Sequence, residues 1–259
     1  MLKIKNFLEK RSTFICQISE NILKIIKYLP KKERVELIEV EVEFLQSNTD
    51  KELSENIKKI LDKLRYNNNL FILSLPRQQV ASYYIKLPTQ NLKEIDKMAR
   101  FQASKYLPYS INELITGYEI VKIDRSGYSY INLIIVHKNI IERYINIFKE
   151  INLKNFIITL SSYGLSNLFN ILESKNSSTV LLMDIDETQI ELVVVSFNKF
   201  IYSRSFKILK EKIEENLIGE INKTINVYLK EIENFQIKEI FVFASNDRNL
   251  ELIKRVQQK

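Results

Sequence analysis

One succession of predicted elements occurs twice in this chain and constrains its fold more than any other feature. Around Thr13–Leu73 the residue pattern predicts three strands, a helix and a further strand, and the same order returns around Thr179–Phe243. The two copies share little sequence, so the repeat lies in the order of the elements. A doubled unit of this kind predicts an α/β protein made of two similar halves.

The stretch between the copies alternates strands and helices. Apolar runs bounded by polar turns predict the strands Val80–Leu87, Tyr118–Ile123, Tyr130–His137 and Phe156–Leu160, and amphipathic periodicity predicts the helices Leu92–Tyr106, Asn139–Ile151 and Ser161–Glu173. Residues 174–178, SKNSS, are the most linker-like stretch. We therefore expect a first half over 1–174, with an inserted subdomain at about 80–150, and a second half over 175–259.

Composition restricts the cellular compartment and the kinds of partner that the chain can have. The sequence contains no run of 18 apolar residues, so it predicts no membrane span. The single cysteine, Cys16, cannot form an internal disulfide, which favours a reducing cytoplasm. The net charge of +7 suits nucleic acid or an anionic membrane, yet the lysines alternate with glutamates along the chain. This pattern is typical of solvated helix faces, so we expect no nucleic-acid partner.

The candidate site is an acidic turn between two apolar strands, within the segment VLLMDIDETQIELVVV that starts at Val180. Two carboxylates, Asp184 and Asp186, stand two residues apart, and the alternation of a strand aims both at one face, where they could hold Mg²⁺. An acidic turn exposed to water is the alternative. The chain has four glycines, where an average usage of about 7% would give about 18, and none of them forms a phosphate-binding cluster.

Other residues carry weaker indications of chemistry. His137 is the sole histidine, so a structural or solvent-exposed role is favoured over catalysis, and we assign no catalytic residue. The aromatic pairs around Tyr83–Tyr84 and Tyr106–Tyr109 predict packing between strand and helix, with a partner groove as the alternative.

The layout and two central segments carry a family resemblance. The doubled unit resembles the actin, Hsp70 and sugar-kinase superfamily. The segments LSLPRQQVASYYIKLP, from Leu73 to Pro88, and FQASKYLPYSINELITGYEIV, from Phe101 to Val121, resemble the PilM family of type IV pilus assembly proteins. They also resemble the related cytoplasmic L-type protein of type II secretion. The stretch from Leu133 to Phe169 continues the match, and Arg204 stands where the family has an arginine in a strand.

The resemblance implies an α/β, actin-like fold of duplicated ribonuclease-H-like domains with an inserted small α/β subdomain. Family members usually continue beyond the last predicted helix, which here runs from Asp247 to about Val256, so we expect a second half that is shortened at its C-terminal end.

The resemblance also implies three turns that grip a nucleotide in the ATPases of this superfamily, and all three are altered here. Ser19 stands where the first turn has a glycine, and Gln17 where it has an aspartate. The second turn keeps Asp184 and Thr188 but has Asp186 in place of glycine. The third, Phe243–Arg248, has no glycine. A carboxylate about 4 Å from a phosphate charge costs about 4 kcal/mol at an effective dielectric of about 20.

We therefore expect a degenerate nucleotide site, with Ser19, Asp184 and Thr188 as its remaining candidates. The resemblance implies a non-enzymatic scaffold in the cytoplasm that binds the short N-terminal cytoplasmic tail of an inner-membrane pilus or secretion protein. In the family this tail lies in a groove beside the inserted subdomain. The scaffold would reach the inner membrane only through that partner. Self-association stays open, and an active ATPase or kinase that binds ATP and Mg²⁺ is the alternative.

Overall fold

The computed structural model describes residues 12–31, 35–173, 178–186, 189–207, 213–231 and 236–244. The chain divides into two compact units, one formed by residues 1–76 and 137–161 and the other by residues 77–136 and 162–259. Within the described residues three sheets are present: one of five strands, one of four and one of three. The predicted boundaries of the two halves, 1–174 and 175–259, remain a prediction.

The described residues of the first unit form a five-stranded sheet with two helices. Its strands are β1 (Thr13–Ser19), β2 (Ile22–Pro30), β3 (Val35–Phe44), β4 (Leu70–Leu75) and β8 (Phe156–Leu160), and its helices are α1 (Asp50–Lys63) and α3 (Lys138–Glu150). The strand order is β3-β2-β1-β4-β8. The hairpin strands pair antiparallel, whereas β4 lies parallel to both β1 and β8.

Alternate residues of β1 fix the core of this unit. Phe14 and Cys16 are fully buried, as period-2 alternation requires for one face of a sheet. The ring of Phe71 on β4 meets that of Phe148 on α3 edge to face at 5.4 Å. Helix α1 begins where the hydroxyl oxygen of Thr49 accepts the N–H of Glu52 at 3.3 Å, which is an ordinary N-cap.

Strand β3 corrects one expectation from the sequence. Its alternation of apolar residues and glutamates predicts an apolar face turned inward, but Leu37 is 61% exposed and Phe44 77% exposed. The glutamates face α1 instead, where Glu41 pairs with Lys63 at 2.7 Å and Glu43 with Lys59 at 3.0 Å. The alternation slips between Leu37 and Val40, which predicts a bulge, and a register shift between Leu37 and Glu39 confirms it.

The second unit contains a four-stranded sheet that repeats the order of the first. Its strands are β9 (Val180–Ile185), β10 (Gln189–Ser196), β11 (Lys199–Lys207) and β12 (Glu239–Ala244), arranged β11-β10-β9-β12. The central strand β9 pairs antiparallel with β10 and parallel with β12, as β1 does with β2 and β4. The doubled layout predicted from the sequence is therefore present in the structure.

Helices cover both faces of this sheet. On one face Leu217 of α5 (Ile213–Glu231) joins a core with buried residues of β9 and β10. On the other, α4 (Ser161–Leu172) sets Phe169 against Phe241 and Tyr163 against Phe200, both at 4.9 Å between ring centroids. Burial on both sides explains why β9 and β10 read as almost continuous apolar runs.

A second, smaller sheet lies in the same unit. It comprises β5 (Val80–Leu87), β6 (Leu114–Ile123) and β7 (Ser129–His137) in the order β5-β7-β6, with α2 (Leu92–Tyr106) packed against it. Buried Ile95, Ala99 and Ala103 of α2 contact the apolar side of the strands. This is the small inserted α/β element that the family resemblance implies.

Candidate functional site

The acidic turn that follows β9 holds the first predicted site residues. Asp184 is half-buried, and its Cα partners are Glu191 on β10 and Phe243 on β12. Asp186 follows the strand, and its N–H donates to the carbonyl oxygen of Gln189 at 2.9 Å, which closes the turn. Thr188 lies outside the described residues. The structure thus adds a third carboxylate, that of Glu191, beside the two that the sequence singles out.

Metal binding at this turn stays a prediction. Both Asp184 and Asp186 take part in interactions with other groups of the protein. Within the described part of the chain there is no group of three or more histidine, cysteine, aspartate or glutamate side chains arranged to hold a metal ion.

Ser19 lies in the other unit, at the end of β1, where Ile22 is its Cα partner. The residue with a left-handed backbone is the next one, Glu20, at φ 49°. Its carbonyl oxygen accepts the side-chain amide of Asn48 at 2.6 Å. The turn therefore adopts a positive φ at a glutamate, where a residue with a Cβ crowds the backbone that glycine would leave open. Of the third predicted turn, Phe243–Arg248, the structure describes only Phe243 and Ala244, which end a strand, and the other four residues lie outside the described part of the chain.

A polar cluster that sequence reasoning missed lies next to Asp184 in the same unit. We call the side chains of Arg77, Ser162, Glu191 and Ser203 the Arg77 cluster. Nε of Arg77 donates to the hydroxyl of Ser203 at 2.6 Å and to its carbonyl oxygen at 3.1 Å, and Nη2 donates to that carbonyl at 2.8 Å. The guanidinium also donates to the carbonyl of Val80 and to the hydroxyl of Ser82.

Ser162 joins the guanidinium side of the cluster to the carboxylate. This serine is fully buried at the start of α4, and its hydroxyl contacts Oε1 of Glu191 and the hydroxyl of Ser203, the latter at 2.9 Å. Desolvation lowers the pKa of Arg77, and the negative charge of Glu191 opposes that shift. Arginine still keeps its charge in proteins.

The Arg77 cluster is suited to structure rather than to ligand binding. Most of the guanidinium donors point at acceptors of the same unit, so few remain for a phosphate. A hint exists in the sequence, because Ser203 follows the run Phe-Ile-Tyr of β11 and is buried, and a buried hydroxyl needs a partner. Arg204 points elsewhere, since it pairs with Glu220 of α5 at 2.6 Å.

The other residues singled out from the sequence, His137, Tyr83 and Tyr106, make contacts that stabilise the fold. Nδ1 of His137 accepts the N–H of Asn139 at 3.3 Å and so caps α3. Tyr83 stacks on Tyr106 at 4.0 Å between ring centroids, which confirms the predicted packing of strand on helix. No described helix is long and apolar enough to cross a membrane.

A family model described as type IV pilus assembly protein PilM matches residues 16–233. The chain belongs to this family. The match spans both units and every residue of the Arg77 cluster, and it gives the chain a role in assembling a pilus or a related secretion machine. A sequence comparison with curated proteins finds no significant match.

Solved structures with the same fold agree with the PilM assignment. The chain aligns with the PilM–PilN type IV pilus biogenesis complex at a TM-score of 0.80 and 13% identity, over 96% of this chain and 86% of that one. The cytoplasmic domain of EpsL, an inner-membrane component of the type II secretion system of Vibrio cholerae, aligns at 0.59 and 7% identity, over 96% of both chains.

A third solved structure is described as having an actin-like ATPase fold. A Bacteroides thetaiotaomicron protein with an actin-like ATPase fold and unknown function aligns at 0.59 and 13% identity, over 100% of this chain and 91% of that one. At such low identities these likenesses concern the fold, and they confirm the predicted actin-like α/β architecture.

Proposed function

We propose that this PilM-family chain is a non-enzymatic scaffold that binds the short cytoplasmic tail of an inner-membrane protein in a type IV pilus or type II secretion-like machine. The family match over residues 16–233 carries the proposal. It is supported by the structural likeness to the PilM–PilN type IV pilus biogenesis complex. On this proposal the protein is cytoplasmic and reaches the inner membrane through its partner.

The acidic turn supports a degenerate nucleotide site. Asp184 and Glu191 are Cα partners on adjacent strands, and Asp186 follows two residues later. A triphosphate placed at this turn would meet the carboxylates of Asp184 and Asp186, each costing about 4 kcal/mol at about 4 Å and an effective dielectric of about 20. Glu20, with its positive φ, further restricts a close approach to the β1–β2 turn.

Binding of the tail can be tested without knowing the machine. A peptide with the cytoplasmic tail of the membrane protein encoded beside this chain is immobilised, and the purified protein is passed over it. We expect retention that does not depend on ATP. No retention with or without ATP would remove the tail-docking proposal, while the family assignment would stand.

Thermal unfolding with Mg·ATP tests the degenerate site and its alternative, an active ATPase or kinase. A ligand at 100 times its Kd stabilises the folded state by about 2.7 kcal/mol. We expect no rise in Tm for the wild-type chain. A rise that disappears in Asp184→Ala would establish a working site at the acidic turn and would contradict the degenerate site.

A further inference from the structure

The solvent face of α2 gathers positive charge that looks dispersed in the sequence. Lys93, Lys97, Arg100 and Lys105 are all exposed, together with Phe101. Their spacings of three, four and eight residues place them on one side of a helix with 3.6 residues per turn. We call these five residues the basic face, which extends about 18 Å along the helix at about 1.5 Å per residue.

The packing of α2 holds the basic face outward. Ile95, Ala99 and Ala103 are at most 1% exposed and lie against the three-stranded sheet. Asn91 caps the helix by accepting the N–H of Lys93 at 2.9 Å, and the helix ends before Pro108. Because the buried side is fixed by this core, the opposite side cannot turn away from solvent.

Phe101 distinguishes the basic face from an ordinary charged surface. Its side chain is 60% exposed in the middle of the helix, between Lys97 one turn before and Lys105 one turn after. Nζ of Lys105 lies 4.7 Å from the centroid of its ring. An aromatic ring set among long basic side chains matches a membrane interface, where the ring enters the boundary of the acyl chains and the ammonium groups reach the headgroups.

Acidic residues do not cancel this charge. Glu94 and Asp96 are the acidic residues of α2, against four basic ones in the same helix. The carboxylate of Glu94 accepts the hydroxyl of Thr89, which holds it toward the start of the helix. The basic face therefore keeps a positive surface around Phe101.

We propose that the basic face of α2 binds an anionic phospholipid surface directly. Its charge complements such a membrane, and a convex helix that offers one central ring and flanking cations fits a flat surface better than a peptide, which needs a groove for its side chains. This contact is additional to any contact made through a partner, and it does not depend on the tail-docking proposal.

Co-sedimentation with lipid vesicles, in the absence of any partner protein, tests whether the basic face binds the membrane directly. The full chain is mixed with vesicles of phosphatidylglycerol and phosphatidylcholine, or of phosphatidylcholine alone. We expect binding to the anionic vesicles only, and loss of it at high salt because exposed charges are screened. Each basic side chain near such a surface contributes about fivefold to binding, so Lys97→Glu with Arg100→Glu should weaken it at least about 30-fold.

Matched variants separate a local site from net charge. Lys58→Glu with Lys154→Glu makes the same change of charge at exposed residues outside α2 and should weaken binding far less. Phe101→Ser should weaken binding about tenfold through lost apolar burial. Leu92→Ser is its control, because Leu92 is 61% exposed and, nine residues away at about 100° per residue, lies on the opposite side of the helix.

Three results would overturn the proposal. The first is no sedimentation with anionic vesicles at low salt. The second is an equal loss of binding in the two charge-reversed double variants, with circular dichroism showing all of them folded. The third is soluble polyglutamate that binds the chain as tightly as the vesicles and loses binding in the Lys97→Glu and Arg100→Glu variant, which would make an acidic protein the partner of this face.

Discussion

Nε of Arg77 lies 2.6 Å from the hydroxyl oxygen of Ser203, so the segment just before β5 is held against the middle of β11. The same guanidinium reaches the carbonyl of Val80 and the hydroxyl of Ser82 at the start of β5. One side chain thus joins the small sheet to the larger sheet inside the second unit. This explains an arginine immediately after the Leu75-Pro76 pair.

Replacing Arg77 should destabilise the protein strongly. In Arg77→Met the carbonyl of Ser203 loses its two guanidinium donors, and Glu191 loses the nearby positive charge that acts on it. Buried acceptors left without partners cost about 1–3 kcal/mol each, so we expect a loss of about 2–3 kcal/mol in the free energy of unfolding, measured by urea denaturation.

Two further variants check that this loss comes from the hydrogen bonds. Arg77→Lys keeps the charge but cannot reach several acceptors at once, so it should lose most of the same stability. Arg125→Ala, at an exposed position, should stay within about 0.5 kcal/mol of wild type. A wild-type urea midpoint for Arg77→Met would refute a structural role for the cluster.

Tyr84 should make stability fall at alkaline pH. Burial, with a smaller contribution from Tyr130, raises its pKa from 10.0 to about 12. A folded state that holds the proton more tightly contributes stability that is complete below about pH 10 and is lost as pH rises from about 10 to about 12. Urea denaturation across this range should show a shallower decline for Tyr84→Phe than for the wild-type chain; parallel curves would contradict the shift.

Glu52 should make stability fall at acid pH. Its carboxylate accepts the backbone N–H groups of Gln46, Ser47 and Asn48, and these bonds lower its pKa below the usual 4.5. The stability that it contributes is present above about pH 4.5 and disappears as pH falls through the lowered pKa. Glu52→Gln should therefore unfold more readily than wild type at neutral pH, with the difference shrinking toward about pH 3 in urea denaturation. Glu55→Gln, exposed in the same helix, serves as the control.

Phe197 should be a site of easy stabilisation. The turn between β10 and β11 puts Phe197 at φ 48° and Asn198 at φ 60°, which is the left-handed pair of a type I′ hairpin, where asparagine and glycine are preferred. Phe197 is 65% exposed, so its ring contributes little burial. Phe197→Asn should raise the free energy of unfolding by about 0.5–1 kcal/mol, seen as a higher Tm. Phe197→Val, β-branched at the same φ, should lower it.

The elements best predicted from the sequence are those with strong local chemistry. Helix α2 was predicted as Leu92–Tyr106 and occurs over the same residues, because Asn91 caps its start and Pro108 prevents its continuation. Asn198 and Lys199 predict a tight turn between β10 and β11, and the turn occurs one residue earlier, at Phe197 and Asn198. The rule that asparagine marks a turn does not say which of its two positions the asparagine takes.

The faces of β3 could not be assigned from its own sequence. Alternation shows that glutamates and apolar residues lie on opposite sides, but not which side is covered. That depends on Lys59 and Lys63 of α1, which are distant in sequence and pair with the glutamates. Glu191 was likewise missed, since its place beside Asp184 follows from strand pairing and not from any local motif.

Val80 and Val136 are Cα partners at one end of the β5–β7 pair. The segment 80–136 therefore begins and ends at adjacent points on neighbouring strands. A segment with adjacent ends can become longer or shorter, or be replaced, during evolution without a change in the path of the flanking chain. The same property suits it to protein engineering, in which a short linker could replace it or a reporter domain could be spliced in.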